Sequence, residues 1–436
     1  MRSFGRRRLG AMAVAAALLT AASAPAQTKG WGTFSLFGQS STQRQDTGYS
    51  YSTSDLIAYL TLRSPGNDDG GLEYGLDVRS ARYSGAFDQN QVSIYDAYFG
   101  FRSKSGFGFR LGQMWLNDLG ALGSFGGALL EYRAKRPSAL GRLRLGLFGG
   151  GEPDLFKVSY AQGVRKAGGY VALDGDLGRR HVLGFVTVRN HNLTEREVVT
   201  LLNFLPIGRT FFLYQTSEYD IKGPGGTGKT GLNYFFANVR YAPSDVVEFQ
   251  GTYHHGRSID ARTITNDELN GRPVDSRLLT GLLFESAGGR VTVSLSRHLR
   301  VWGGYYRDRN NLDAAATGRV QAGFWASDIL GSGFDVTVSD NRIDRTGNRY
   351  DSWYTSVGAS IGRSVYITAD YTTSLSVLSF TGSDGVIVES RPQSKRYSLS
   401  ANVNLTRHLS LLLQAERLLD DTSHEDRVMA GATVRF

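Results

Sequence analysis

Apolar and polar residues alternate with a period of two along most of this chain. The clearest stretch is Asp426 to Phe436. There Val428, Ala430, Ala432, Val434 and Phe436 share one face, and Arg427, Met429, Gly431, Thr433 and Arg435 share the other. A period of two belongs to an extended strand whose two faces meet different surroundings. The pattern recurs. Leu143, Leu145 and Leu147 interleave with Arg142 and Arg144. Val365, Ile367, Ala369 and Tyr371 interleave with Tyr366, Thr368, Asp370 and Thr372. Tyr397, Leu399, Ala401, Val403 and Leu405 interleave with Ser398, Ser400, Asn402 and Asn404. Leu409 to Glu416 follows the same rule, broken at Leu412.

The connections sort by length, and the sorting alternates. Short turns are expected near 64–70, 103–106, 136–141, 176–179, 206–209, 242–245, 296–299, 329–333, 362–363 and 406–408. Longer polar stretches fall near 40–53, 84–91, 116–123, 149–166, 190–196, 221–231, 258–287, 308–316, 342–349, 376–394 and 418–425. Ten short turns and eleven long loops join 22 strands, and merging or splitting one pair gives 20 or 24. Short turns at one rim and long loops at the other are the rhythm of a membrane barrel, whose strands need about 9–11 residues to cross. The expected fold is all-β: a transmembrane antiparallel up-and-down β-barrel of about 22 strands, with no plug and no separate periplasmic domain. An even count puts both termini at the short-turn, periplasmic rim. The strand ending at Phe436 should then pair with one near Trp31–Gly38 to close the ring. Residues 278–287 fit either a strand extension or a small helix. With strands about 4.8 Å apart and tilted about 40°, the barrel is roughly 40–45 Å across. Side chains cannot fill that width. Loops 258–287, 149–166 and 376–394 are the expected narrowing elements.

Residues 1–26 break the pattern. Arg2, Arg6, Arg7 and Arg8 precede a short apolar run, Ala11 to Ala22, and Ala24-Pro25-Ala26 offers small residues for cleavage. This reads as a secretory signal peptide, with the barrel occupying 27–436. Without it Lys+Arg falls from 49 to 45 against 40 Asp+Glu, a net charge of about +5. So small an excess points to no nucleic-acid partner. There is no Cys, hence no disulfide or thiolate–metal framework. Beyond the leader no run of 18 apolar residues occurs, so no membrane-spanning helix is expected. The chain holds 54 Gly, 9 Pro and 45 Tyr plus Phe. That suits a barrel, in which every second strand residue is apolar.

The candidate chemistry is mostly charge. Asp96, Arg102, Arg110, Arg142, Arg144 and Asp370 alternate with apolar neighbours and should face the lumen. A charge facing lipid at mid-depth costs about 2–4 kcal/mol. They suit an ion-lined pore that sets solute preference, or simply a wet lumen that tolerates charge. Tyr95, Phe99, Phe101, Phe107, Phe109, Tyr132, Tyr305, Tyr306, Tyr371 and Tyr397 suit interfacial girdles. Gly223 to Thr230 matches the phosphate-loop pattern G-x-x-x-x-G-K-T, but that chemistry needs a helix after the loop, and Leu232 to Tyr241 reads as a strand. His254 and His255 are adjacent, so on a strand they face opposite ways and do not share a metal easily.

Leader, alternating strands, short–long rhythm and terminal Phe436 together resemble the porin-like outer-membrane barrels of Gram-negative bacteria. Tyr95 to Gly100 followed by Arg110 to Gln113 looks like the paired strands of large porins and exporters. The resemblance implies an outer-membrane location, Phe436 as the assembly signal, and as partners the barrel assembly machinery, outer-membrane lipid and lipopolysaccharide. It implies no cofactor or metal and no catalysis. The expected function is a channel for solutes or a polymer. The alternatives are a scaffold barrel sheathing a lipoprotein or multihaem cytochrome in its lumen, and an outer-membrane hydrolase.

Overall fold

The computed structural model describes residues 30–65, 70–85, 89–154, 156–223, 230–313, 315–381 and 387–436. The expected signal peptide and most of the phosphate-loop match lie outside them. Twenty-three antiparallel segments form one sheet closed on itself. β1 (Trp31–Gln45) pairs with β2 (Ser50–Arg63) on one side and with β23 (Ser423–Arg435) on the other. Phe34 faces Val434 and Leu36 faces Ala432 across the seam. Gly32 N donates to Phe436 O at 2.7 Å, and Phe436 N donates to Gly32 O at 3.0 Å. The Phe436 ring lies over Gly32, where any side chain would collide with it. The terminal aromatic thus closes the ring as its alternation predicts.

β20 (Ile387–Ser390) and β21 (Gln393–Asn404) both pair with β19 (Val365–Thr381). They are two pieces of one stave interrupted at Arg391-Pro392, where proline has no N–H for the ladder. The barrel therefore has 22 staves. Nine of the ten short turns fall where expected among the described residues; most of the tenth, 64–70, lies outside them, between the end of β2 and the start of β3. The long connections differ. Residues 40–53, 190–196, 342–349 and 418–425 are mostly strand, with turns confined to 46–49, 191–192, 346–347 and 421–422. These polar stretches pair with each other: Ser41 and Thr53 hydroxyls lie 2.8 Å apart, Thr42 and Ser52 3.0 Å. Cross-strand hydroxyl pairs sustain a sheet beyond the bilayer without apolar residues, so these segments look like loops in sequence and are hairpins in space.

Outward positions carry the apolar belt. Phe99, Phe101, Phe107, Phe109, Tyr305 and Tyr397 are exposed there, with Tyr132 and Tyr371 beside Phe107 and Tyr397. Two girdle candidates sit elsewhere. Tyr306 faces inward beneath the Arg319 guanidinium at 4.6 Å, and Tyr95 sits at a bulge against Trp115. Residues 278–287 satisfy both expectations: a five-residue helix, Ser276–Thr280, leads into β14 (Leu282–Ser296).

Candidate functional site: an asymmetric lumen

Two inward-folded elements cover one side of the lumen. The first is the connection between β5 (Phe107–Trp115) and β6 (Ser124–Arg133), a 3-10 segment over Asn117–Gly123. Leu119 and Leu122 leave this loop and enter an apolar seat with Met114, Phe125, Leu129, Phe148, Val182 and Val198. Leu119 is 1 % exposed and Phe125 fully buried. Leu129 and Phe148 face the lumen from β6 and β7 (Arg142–Pro153), and Val182 and Val198 from β9 (Arg180–Asn190) and β10 (Leu193–Ile207). Here both faces of the wall are apolar, which simple alternation does not foresee. Gly184 makes the fit possible, since a side chain there would strike Leu119.

Charges pin the loop from below. Arg144 Nη2 donates to Asp118 at 2.6 Å and Arg144 Nε to Asp174 at 3.0 Å; Arg180 reaches the same two carboxylates at 3.0 and 2.8 Å. The network continues along the wall. Glu131 takes Arg102 and Arg133, each at 2.7 Å, and the Tyr170 hydroxyl. Glu73, from β3 (Gly71–Ser84), takes Arg102 at 2.6 Å and Arg110 at 2.7 Å. Asp96 receives Arg63 at 2.5 Å and Trp115 N at 2.8 Å.

Of the six charges singled out from sequence, Arg102, Arg110 and Arg144 thus lie in one wall lattice, and Asp96 forms a separate pair with Arg63 beside it. Arg142 begins β7 in register with Asp174. Asp370 lies apart on β19, where its carboxylate receives the Tyr354 hydroxyl at 2.9 Å. The partners Glu73, Asp118 and Glu131 escaped sequence reading because cross-strand register brings them in. A signal for the loop did exist: three leucines, Leu116, Leu119 and Leu122, in an eight-residue connection with no solvent reason to be there.

The second element is α1 (Ala261–Leu269), in the connection from β13 (Val247–Ser258) to β14. Asp260 caps it, accepting from Thr263 N at 3.0 Å and Thr263 Oγ1 at 2.7 Å. These hydrogen bonds hold the Asp260 carboxyl below its ordinary pKa. Arg262 grips Glu195 with two nitrogens, at 2.7 and 3.2 Å, and also reaches Glu152. Burial disfavours its charge, but these two carboxylates more than offset that and keep it ionised. Asn190 donates to Asn266 at 2.9 Å, and Ile264 and Thr265 are fully buried. Loop 258–287 therefore folds inward as expected. In the other two narrowing candidates the described strand residues pair as hairpin extensions, β7 with β8 (Tyr160–Asp174) and β19 with β20, while residues 155 and 382–386 lie outside the described residues.

Inward positions on β10, β11 (Phe211–Lys222), β12 (Gly231–Tyr241), β13 and β14 carry an aromatic track from rim to rim. Phe204 meets Phe212 at 5.0 Å between ring centres, Tyr214 meets Phe236 at 5.9 Å, and His254 meets Tyr234 at 5.5 Å and Phe284 at 5.4 Å. Where the track passes under Ile259 and Ala261, it borders a cleft of about 460 Å³. Arg196 crosses this cleft to Asp220 at 2.8 Å and Glu218 at 3.3 Å. The adjacent histidines diverge as expected: His254 joins the track, while His255 faces outward beside Glu285 at 3.2 Å. Strands also flank the phosphate-loop match on both sides, β11 and β12, so no helix follows it.

No protein-family profile and no curated protein matches the chain. Solved structures do. The P pilus usher (PapC) translocation pore aligns over 92% of this chain and 99% of its own, at 11% identity and a TM-score of 0.50. OpdQ of Pseudomonas aeruginosa aligns over 94% and 99%, at 10% identity and 0.44. OccAB4 of Acinetobacter baumannii aligns over 95% and 100%, at 10% identity and 0.43. At such identities the likeness concerns the fold alone, a closed antiparallel β-barrel.

Proposed function

We propose that this protein is an outer-membrane channel in which solutes pass along the aromatic track, through the half of the lumen that the inward-folded elements leave open. The observation that carries this reading is the asymmetry. An eight-residue loop and a short helix, both held to β5–β10, do not fill a ring of 22 staves. The remaining wall presents Tyr354, Asp370, Ser398 and Gln414, a wet polar surface. Both termini sit at the short-turn rim, which we take as periplasmic; α1 and the long hairpins then stand at the outer rim. The charged lattice serves mainly to position the loop, because its ions are largely neutralised by one another. Selectivity falls to the cleft, where Arg196, Glu218 and Asp220 face aromatic rings. Flat apolar faces opposite hydrogen-bonding groups suit solutes that combine both, carbohydrates above all.

The test is conductance of the purified protein in a planar bilayer. Discrete open steps are expected, reduced by linear oligosaccharides in proportion to chain length. Absence of any conductance would sink the channel. The scaffold alternative draws on the same unfilled lumen, but the most apolar part of the inner wall is already covered by Leu119 and Leu122. It would gain only if a partner protein copurified and blocked the pore. Nothing in the geometry favours a hydrolase.

A further inference from the structure

We propose a binding site for a phosphorylated lipid on the outer wall of the barrel, between β6 and β10. Cross-strand register defines it row by row. The uppermost outward row is Gly126, Gly151, Arg165, Arg189 and Thr194. Arg165 and Arg189 are direct cross-strand partners, both exposed on the same face. Like charges so placed repel. Among the described residues neither guanidinium has an ion pair or hydrogen bond to oppose that repulsion. The carboxylate that shares this face is Glu197, one row lower, opposite Thr187 and in register with Lys222. Two forked donors, side by side and unpartnered, suit the oxygens of one phosphate.

Below the arginines the wall is hollow. The next row is Ala128, Gly149, Ala167 and Thr187, and the last three line a depression of about 710 Å³ that reaches up to both arginines. The Tyr160 ring bounds it, lying over Gly126 and Gly151. Beneath follow Leu147, Gly169 and Phe185, then Leu145, Val171 and Leu183. They line an apolar groove of about 1160 Å³ on the same face. Cations above, small residues below them and an apolar groove below those reproduce, in order, the phosphate, the linkage region and the acyl chains of a lipid. A charge facing lipid is tolerated at headgroup level and costly deeper, and these arginines stand two rows above the leucine belt. This rim is the one taken as extracellular under the proposed orientation, so the occupant is an outer-leaflet lipid: the phosphorylated, multi-acylated lipid A moiety.

Native mass spectrometry of the detergent-purified full-length protein with added lipid A tests the proposal. Wild type should hold one bisphosphorylated lipid A. Arg165→Ala/Arg189→Ala should weaken that adduct at least tenfold, Arg165→Lys/Arg189→Lys should retain part of it, and Ala167→Trp, which fills the hollow, should lose it. Heat-modifiable migration on gels verifies that each variant is a folded barrel. Equal binding of dephosphorylated lipid A, or undiminished binding by the folded double alanine variant, would overturn the site. So would displacement of the lipid by millimolar inorganic phosphate alone, which would reduce it to a free-anion site. The orientation is tested separately. The chain has no cysteine, so Ser159→Cys beside this rim should react with an impermeant maleimide on intact cells. A lack of labelling would overturn the outer-leaflet source, and the detergent experiment would still report on the site itself.

Discussion

Arg262 on α1 and Glu195 on β10 form a two-pronged ion pair across the lumen wall, with Nε 2.7 Å from Oε2 and Nη2 3.2 Å from Oε1. Sixty-seven residues apart in sequence, they tie the β13–β14 connection to the far side of the narrowed region. Glu195 is almost fully buried, so cutting the pair strands a carboxylate. Removal of one partner of a buried pair costs about 3–5 kcal/mol; the half-exposed arginine places this case below that range. Arg262→Ala should release α1 from the wall while the ring itself stays intact. Single-channel recordings should show a larger or noisier open state, and unchanged conductance would mean that α1 does not narrow the path.

The inner loop should respond to its seat. Leu119→Ala removes a fully enclosed side chain, a change that costs about 2–5 kcal/mol locally. Gly184→Val attacks the same contact from the wall, without touching the loop. Both should raise conductance, and protease cleavage between β5 and β6 should become faster in each. Equal protection in variants and wild type would place the loop elsewhere.

The aromatic track makes a chemical prediction. Phe236→Ala removes its middle rung and His254→Ala its junction. Each should weaken block by linear oligosaccharides several-fold and leave ion conductance little changed. A matched loss for both oligosaccharides and simple ions would indicate collapse of the wall rather than loss of a binding lane.

Acid should loosen α1 at its cap. The hydrogen bonds from Thr263 lower the Asp260 pKa, so the cap contributes stability above the ordinary aspartate pKa of about 3.9 and loses it as the pH falls through the depressed native value. Asp260→Asn keeps an acceptor without the titration and should flatten the change. Exchange protection of the α1 amides, followed from pH 7 down to pH 2, checks this: protection should fall only in strong acid in wild type.

The staves were legible in sequence because lipid on one side imposes a strict period of two. The short turns among the described residues, the stave count and the Phe436 seam follow from that single constraint. It fails where its cause fails. Beyond the bilayer, Ser41, Thr42, Ser52 and Thr53 have no lipid to face, so nothing marks them as strand. Inside, Phe125, Phe148 and Val186 face protein instead of water, because a loop from the same chain covers them. The partners in the charged lattice depend on register across up to six staves, which no local pattern encodes. The track was hidden for the same reason: Phe204, Tyr214, Phe236 and Phe284 become neighbours only once the strands are paired.

The most direct measurement is the single-channel conductance of the purified wild-type protein beside Arg262→Ala in the same planar bilayers. The account predicts discrete steps for wild type and larger steps once α1 is released. A folded barrel that conducts nothing in either form would contradict it.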